Sequence, residues 1–127
     1  MPAALFLTEA GDSRGLGHLV RMGALAACFE AHGWDVERIV DAGSRNLPPG
    51  MFREWRTSSW QSHVPETARE WADHAPQEST CVVIDSYEAS IDDYRAAASA
   101  SDCTVALDDT ARLPYPTTFV VNGGLGT

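Results

Sequence analysis

The fold of this chain is decided in residues 4–40, which read ALFLTEAGDSRGLGHLVRMGALAACFEAHGWDVERIV. The apolar run over residues 4–8 predicts a β-strand. A helical pattern follows, because apolar residues recur on one face at Leu19, Met22, Leu25, Ala26 and Phe29. This helix should end at Gly33, since glycine adopts the left-handed conformation that closes a helix, and residues 36–40 predict a second strand. The stretch is a βαβ unit, which implies a parallel sheet with a right-handed crossover.

The remainder of the chain alternates in the same way. Residues 81–85 are a near-continuous apolar run bounded by polar residues, as in strands buried on both faces. Further strands are predicted over residues 103–107 and 118–121. Helices are predicted over residues 66–74 and 92–100, with a short one starting at Met51 and reaching Trp55. These elements predict a single α/β domain over residues 1–127, a Rossmann-like doubly wound sheet of about five parallel strands.

Charge and hydropathy exclude several classes of partner. The 127 residues include 18 acids and 9 bases, and the resulting net charge of -9 would repel nucleic acids and anionic membranes. No segment is apolar enough to suggest a membrane span. The first apolar run is short and follows no Lys or Arg, so it is not typical of a signal peptide. We therefore expect a cytoplasmic protein whose ligand is a small molecule.

The cysteines and tryptophans have simple structural interpretations. The cysteines are odd in number, far apart, and without the spacing of a metal site; they are Cys28, Cys81 and Cys103. We interpret them as reduced thiols in the core and expect no metal. Three tryptophans lack a regular period, and core packing is favoured over sugar stacking for them; they are Trp55, Trp60 and Trp71.

Polar side chains follow four of the predicted strands, where ligands gather in a parallel α/β sheet. They include Glu9, Asp85, Tyr87, Asp109 and Asn122. Tyr87 is a candidate for lining a site. Asp109 directly follows Asp108 on an extended segment, so the two side chains should diverge and would not share a proton. For Asp85 and Asp109, helix capping or turn formation is as plausible as ligand binding.

The loop after the first strand carries the most chemistry. Gly15 and Gly17 would permit a tight turn and the approach of an anion to the first amides of the helix. The positive end of the helix would disfavour protonation of His18 and keep its imidazole available as a base. Arg21, one turn later, could hold a phosphate or a carboxylate such as Glu9. The structural alternatives are a plain tight turn, a capping histidine and an ordinary ion pair. The spacing is neither the dinucleotide-binding fingerprint nor a P-loop.

Four short motifs follow one another along the chain: GLGHLVR at residues 15–21, DSY at 85–87, Asp108-Asp109, and Asn122. In order and rough spacing they resemble the N-terminal half of the UDP-sugar hydrolases of pseudaminic acid biosynthesis. Those enzymes are similar in turn to two-domain GT-B glycosyltransferases, so the resemblance implies one GT-B-type domain. It also implies that His18 activates the water that attacks the anomeric carbon, with UDP as leaving group and no metal or cofactor.

The resemblance further implies a set of site residues and a missing partner. Tyr87 would lie in the catalytic site with His18. The substrate-binding residues would be Gly15, Gly17, Arg21, Glu9, Asp85, Asp109 and Asn122. This family holds UDP mainly with a C-terminal nucleotide-binding domain, which the 127 residues do not contain. We expect such a domain, or a partner chain, to complete the site.

Two other functions fit the same residues. In a GT-B glycosyltransferase half, an acceptor hydroxyl would take the place of water. A non-catalytic sugar-nucleotide binding module would use the same loop without a reaction.

Overall fold

The computed structural model describes residues 2–10, 17–41, 55–74, 79–86, 89–107 and 119–121, with the backbone alone at residues 17, 18, 62, 74 and 119–121. Its strands are β1 (Ala3–Glu9), β2 (Asp35–Asp41), β3 (Arg56–Thr57), β4 (Thr80–Asp85), β5 (Cys103–Leu107) and β6 (Phe119–Val121). Its α-helices are α1 (Gly17–Ala31), α2 (Val64–His74) and α3 (Ile91–Ala100), and a single 3-10 turn covers Trp60–Ser62.

The strands form one sheet in the order β3-β2-β1-β4-β5-β6, and every neighbouring pair is parallel. This is the order of the doubly wound dinucleotide-binding fold, so the predicted Rossmann-like α/β class is confirmed. β1 lies at the centre, with Leu7 opposite Ile39 on one side and Ile84 on the other. The two-residue β3 is an addition to the prediction. The expected helix at residues 51–55 lies outside the described residues except for Trp55, which is not helical.

The helices cover both faces of the sheet. α1 packs its predicted apolar face, including Leu19, Met22 and Ala26, against Phe6 and Val83. α2 and α3 cover the opposite face, where a second cluster of buried residues is formed by Leu5, Ile84, Trp71, Tyr94 and Ala97, among others. Every residue of β1 is buried, as expected for the central strand of a sheet covered on both sides. The three tryptophans at 55, 60 and 71 are all buried, which confirms their predicted role in the core.

Gly33 ends α1 in the predicted manner. Its φ of 88° lies in the left-handed region. The Gly33 amide donates to the Glu30 carbonyl at 3.1 Å, and the Trp34 amide donates to the Phe29 carbonyl at 3.0 Å. These two bonds are the Schellman arrangement, and the Phe29 and Trp34 rings meet edge to face at 5.1 Å, which supplies its usual apolar contact. The motif turns the chain directly into β2.

All three cysteines are free, but they do not all lie in the core. Cys81 is buried and stands opposite Cys103 in the β4–β5 register. Burial, together with the neighbouring Cys103, raises the pKa of the Cys81 thiol to about 12. Cys28 corrects the prediction, because it lies on the solvent side of α1, two positions after the buried Ala26, and is exposed. No helix in the described part of the chain is long and apolar enough to cross a membrane.

Candidate functional site

The candidate site lies between the carboxyl ends of β1 and β4, which are adjacent in the sheet and end at Glu9 and Asp85. The chain leaves β1 toward α1 on one face and leaves β4 toward α3 on the other. The space between two such diverging connections is where ligands bind in open α/β sheets. We call it the crevice.

A hydrogen-bonded carboxylate forms one wall of the crevice. Glu9 is fully buried, and its Oε1 accepts hydrogen bonds from the Ser86 hydroxyl and, at 2.6 Å, from Gln61 Nε2. The same Gln61 nitrogen donates to Ser86 Oγ at 2.9 Å, and the Ala89 amide donates to that oxygen at 3.1 Å. Ser86 therefore uses its single hydroxyl proton on Glu9 and both acceptor positions on its neighbours. Its orientation is fixed by three partners.

Trp60 attaches the 3-10 turn to the end of β1. Its side chain is fully buried, and its indole Nε1 donates to the Thr8 carbonyl at 2.6 Å. A buried indole nitrogen needs such an acceptor, and here the acceptor belongs to the strand that ends in the crevice. The Thr8 hydroxyl in turn donates to the Asp85 carbonyl at 3.0 Å, joining the ends of β1 and β4. Gln61, the next residue of the turn, is thereby held beside the ends of β1 and β4.

An ion pair attaches the first turns of α1 to the end of β4. Arg21 Nε lies 2.6 Å from Asp85 Oδ2, and Arg21 Nη2 lies 2.7 Å from Asp85 Oδ1. The Asp85 side chain is 1% exposed and that of Arg21 is 28% exposed. Two parallel N–H···O bonds specify orientation as well as distance. The start of α1 is therefore fixed relative to β4.

The crevice offers different chemistry at its two sides. On one side, the buried Glu9 carboxylate supplies negative charge and the half-buried Gln61 supplies an amide, a combination that favours hydroxyl-bearing ligands and repels anions. The first amides of α1, from Gly17 onward, carry the partial positive charge of a helix N-terminus and favour anions. A molecule with both a hydroxyl-rich part and a phosphate-bearing part would match the two sides. In the described residues, no group of three or more His, Cys, Asp or Glu side chains could hold a metal.

A separate cavity of about 310 Å³ lies at the edge of the sheet. It is formed between β3 and α2, and Trp71 is part of its wall. Arg56 Nη2 and Glu37 Oε1 form an ion pair there at 2.8 Å, with side chains 59% and 41% exposed. Exposed pairs of this kind contribute little and mark no ligand. The crevice remains the better candidate, because its polar groups are buried and mutually oriented.

The structure brings together part of the predicted site. Glu9, Arg21 and Asp85 lie at the crevice, and α1 begins with Gly17 and His18. The carboxylate that Arg21 holds is Asp85, whereas the sequence suggested Glu9 as an example. The side chain of His18 lies outside the described residues, one helical turn before Arg21. The other predicted residues also lie outside them; they are Gly15, Tyr87, Asp109 and Asn122.

Two residues of the crevice were missed as ligand candidates. Ser86 was expected among the polar residues that follow a buried strand but was not assigned a place among the binding residues, although that position was a usable signal. Gln61 lies in a segment without clear periodicity, 52 residues from its partner Glu9. The neighbouring Trp60 offered an indirect signal for Gln61. A buried tryptophan needs an acceptor for its indole nitrogen, and a strand end can supply one, which would bring Gln61 there too.

No protein-family model, curated protein or solved structure matches this chain. The crevice and the GLGHLVR and DSY motifs share three positions, Gly17, Arg21 and Asp85.

Proposed function

We propose that this chain is the sugar-side domain of a UDP-sugar hydrolase in nonulosonic acid biosynthesis of the pseudaminic type. The observation that carries the proposal is the Arg21–Asp85 ion pair at 2.6 and 2.7 Å, in the crevice of a doubly wound sheet. It joins two of the motifs on which the resemblance rests, GLGHLVR and DSY. It also ties the helix that begins with Gly17-His18 to the strand end where ligands bind.

In this proposal the two sides of the crevice orient the sugar nucleotide. The side formed by Glu9, Ser86 and Gln61 lies against the neutral sugar, because the buried Glu9 carboxylate would repel a phosphate. The first amides of α1 face the diphosphate. With a net charge of -9, the chain has little else to attract that anion. A second, nucleotide-binding domain or partner chain holds the uridine.

His18 acts as the general base in the proposed reaction. The α1 dipole favours a neutral imidazole, which takes a proton from water as the water oxygen bonds to the anomeric carbon. The bond from that carbon to the UDP oxygen breaks, and UDP leaves with the bonding electrons. Arg21 acts as a positioning residue, because its ion pair with Asp85 orients the first turns of α1.

A chemical-shift titration of the chain with UDP-glucose tests where the ligand binds. We expect millimolar binding with the largest shifts at Glu9, Gly17 to Arg21, and Ser86. Weak affinity is expected because one wall of a two-domain site cannot immobilise the ligand. Shifts confined to the cavity beside Trp71, or no shifts at all, would contradict the proposal. Submicromolar binding of UDP would contradict the division into two domains.

Turnover tests the role of His18. UDP release from a UDP-sugar should be negligible with this chain alone and should rise when a nucleotide-binding domain is fused to it or added. In the assembled protein, His18→Gln should lower turnover by a factor on the order of a hundred or more, as when a general base is removed. The chemical-shift changes on binding should persist. Undiminished turnover in that variant would refute the role, and transfer of the sugar to an added hydroxyl acceptor would identify a glycosyltransferase instead.

A further inference from the structure

Gln61 is held by two hydrogen bonds that together define the orientation of its amide. Its Nε2 lies 2.6 Å from Glu9 Oε1 and 2.9 Å from Ser86 Oγ. A carboxylate oxygen accepts hydrogen bonds, so the amide group that faces it must be the NH₂. Both N–H bonds of that group are used. The remaining polar atom is the amide oxygen Oε1, whose direction is fixed because the amide is planar.

The amide oxygen is left as an acceptor at the crevice. Gln61 is half-buried, and no described residue donates a hydrogen bond to its Oε1. The backbone that carries it is rigidly attached, since the neighbouring Trp60 is fully buried and bonded to the Thr8 carbonyl. Because the Gln61 side chain is already ordered, a hydrogen bond from a ligand to its amide oxygen would cost little conformational entropy.

We propose that Gln61 is a specificity-determining residue that accepts a hydrogen bond through Oε1 from an O–H or N–H group of the ligand's neutral part. The charged groups around Gln61 determine which ligand groups can bind beside it. The Glu9 and Asp85 carboxylates lie at the same strand ends, so an anionic group is disfavoured beside Gln61 and a hydroxyl-bearing group is favoured. This inference rests on the proposed function, because it names the residue that distinguishes the sugar from the nucleotide.

Two substitutions test whether Gln61 binds the ligand or only supports the structure. Gln61→Met removes both the donors to Glu9 and the free acceptor. Gln61→Lys keeps a donor for Glu9 and Ser86 and removes the acceptor, because an ammonium group has no acceptor atom. Ser99→Lys adds the same positive charge at an exposed position of α3, away from the carboxyl ends of the strands. It controls for the general attraction between a positive charge and UDP.

The measured quantity is the ratio of the UDP dissociation constant to that of UDP-glucose, obtained by chemical-shift titration of the 127-residue chain and its variants. In the unsubstituted chain the sugar should strengthen binding, so the ratio exceeds one. In Gln61→Lys and Gln61→Met the ratio should fall by roughly 3- to 10-fold, the value of one hydrogen bond. In Ser99→Lys any change should affect both constants equally, and the ratio should stay the same.

The possible outcomes are distinct. A ratio that is unchanged in Gln61→Lys overturns the role of Gln61 and leaves the proposed function standing. A ratio near one in the unsubstituted chain overturns both, because the sugar then contributes nothing to binding. Binding of neither UDP nor UDP-glucose overturns both. Thermal melts accompany each variant, and if Gln61→Met does not fold, the comparison of Gln61→Lys with Ser99→Lys decides.

Discussion

Removing Arg21 should destabilise the domain far more than removing a surface arginine. In Arg21→Met, the Asp85 carboxylate would remain 1% exposed without its guanidinium partner. Breaking a buried pair in this way typically costs about 3 to 5 kcal/mol. Because the Arg21 side chain is 28% exposed, water would replace part of the interaction, and we place the loss at about 2 to 3 kcal/mol.

The partner substitution should cost less. Asp85→Asn removes the buried charge itself, and the guanidinium that is left behind can turn toward solvent, so we expect about 1 to 2 kcal/mol. The double variant should be less destabilised than the sum of the singles by about 1 kcal/mol or more, which is the coupling of two groups in direct contact. For a domain of this size, the loss in Arg21→Met corresponds to a fall in melting temperature of roughly 10 °C.

Urea denaturation of the two single variants and the double variant measures this coupling, and Arg95→Met is the matched control. Arg95 pairs with Asp92 at 3.3 Å, with side chains 67% and 90% exposed. Its removal should change stability by less than about 0.5 kcal/mol. If Arg21→Met were no more destabilising than Arg95→Met, or if the single effects simply added, the ion pair would not be what holds α1 to β4.

Three further predictions concern two glycines of the α1 region and the thiols. Gly23→Ala in α1 places its Cβ in open space and should stabilise the domain by about 0.5 to 1 kcal/mol, whereas Gly33→Ala, at a φ of 88°, should destabilise it by about 1 kcal/mol or more. Urea midpoints of the pair should move in opposite directions, and equal shifts would contradict the Schellman geometry. Because the Cys81 pKa is raised from 9.0 to about 12, a thiolate-directed reagent at pH 8 should label exposed Cys28 first and Cys81 only after unfolding. Because of this raised pKa, the protonated Cys81 thiol contributes to the free energy of unfolding, fully below about pH 8 and less as pH rises from about 9 toward 12. A urea midpoint that does not fall over that range would argue against burial of the thiol.

The parallel sheet could be predicted because its strands are short apolar runs bounded by polar residues. Each of the five predicted strands differs from the observed one by at most one residue at either end. The end of α1 could also be predicted from local sequence, since it depends on one residue, Gly33, in the left-handed conformation. The two-residue β3 could not be predicted, because a periodicity needs more residues than Arg56 and Thr57 provide.

The site was predictable only where a residue's neighbours in sequence determine its position. Glu9 and Asp85 follow apolar runs, so their place at strand ends was evident. The contacts of Gln61 and the choice of Asp85 as the partner of Arg21 depend on which strands are adjacent. Local patterns carry no information on strand order. Once β1 and β4 are neighbours, residues 9, 21, 61 and 86 converge on one crevice.

A buried ion pair is a poor means of stabilising a fold, because well-packed apolar residues of similar volume often do as well or better. Its presence at Arg21 and Asp85 is better explained by orientation. Two parallel hydrogen bonds at 2.6 and 2.7 Å add a directional restraint to the apolar packing of α1. The ion pair occupies the strand end where the fold class binds its ligands, and the helix that it orients begins with Gly17 and His18. In the proposed reaction a base on this helix would have to meet a bound water within hydrogen-bonding distance, and that role would require such a constraint, whereas packing stability alone would not.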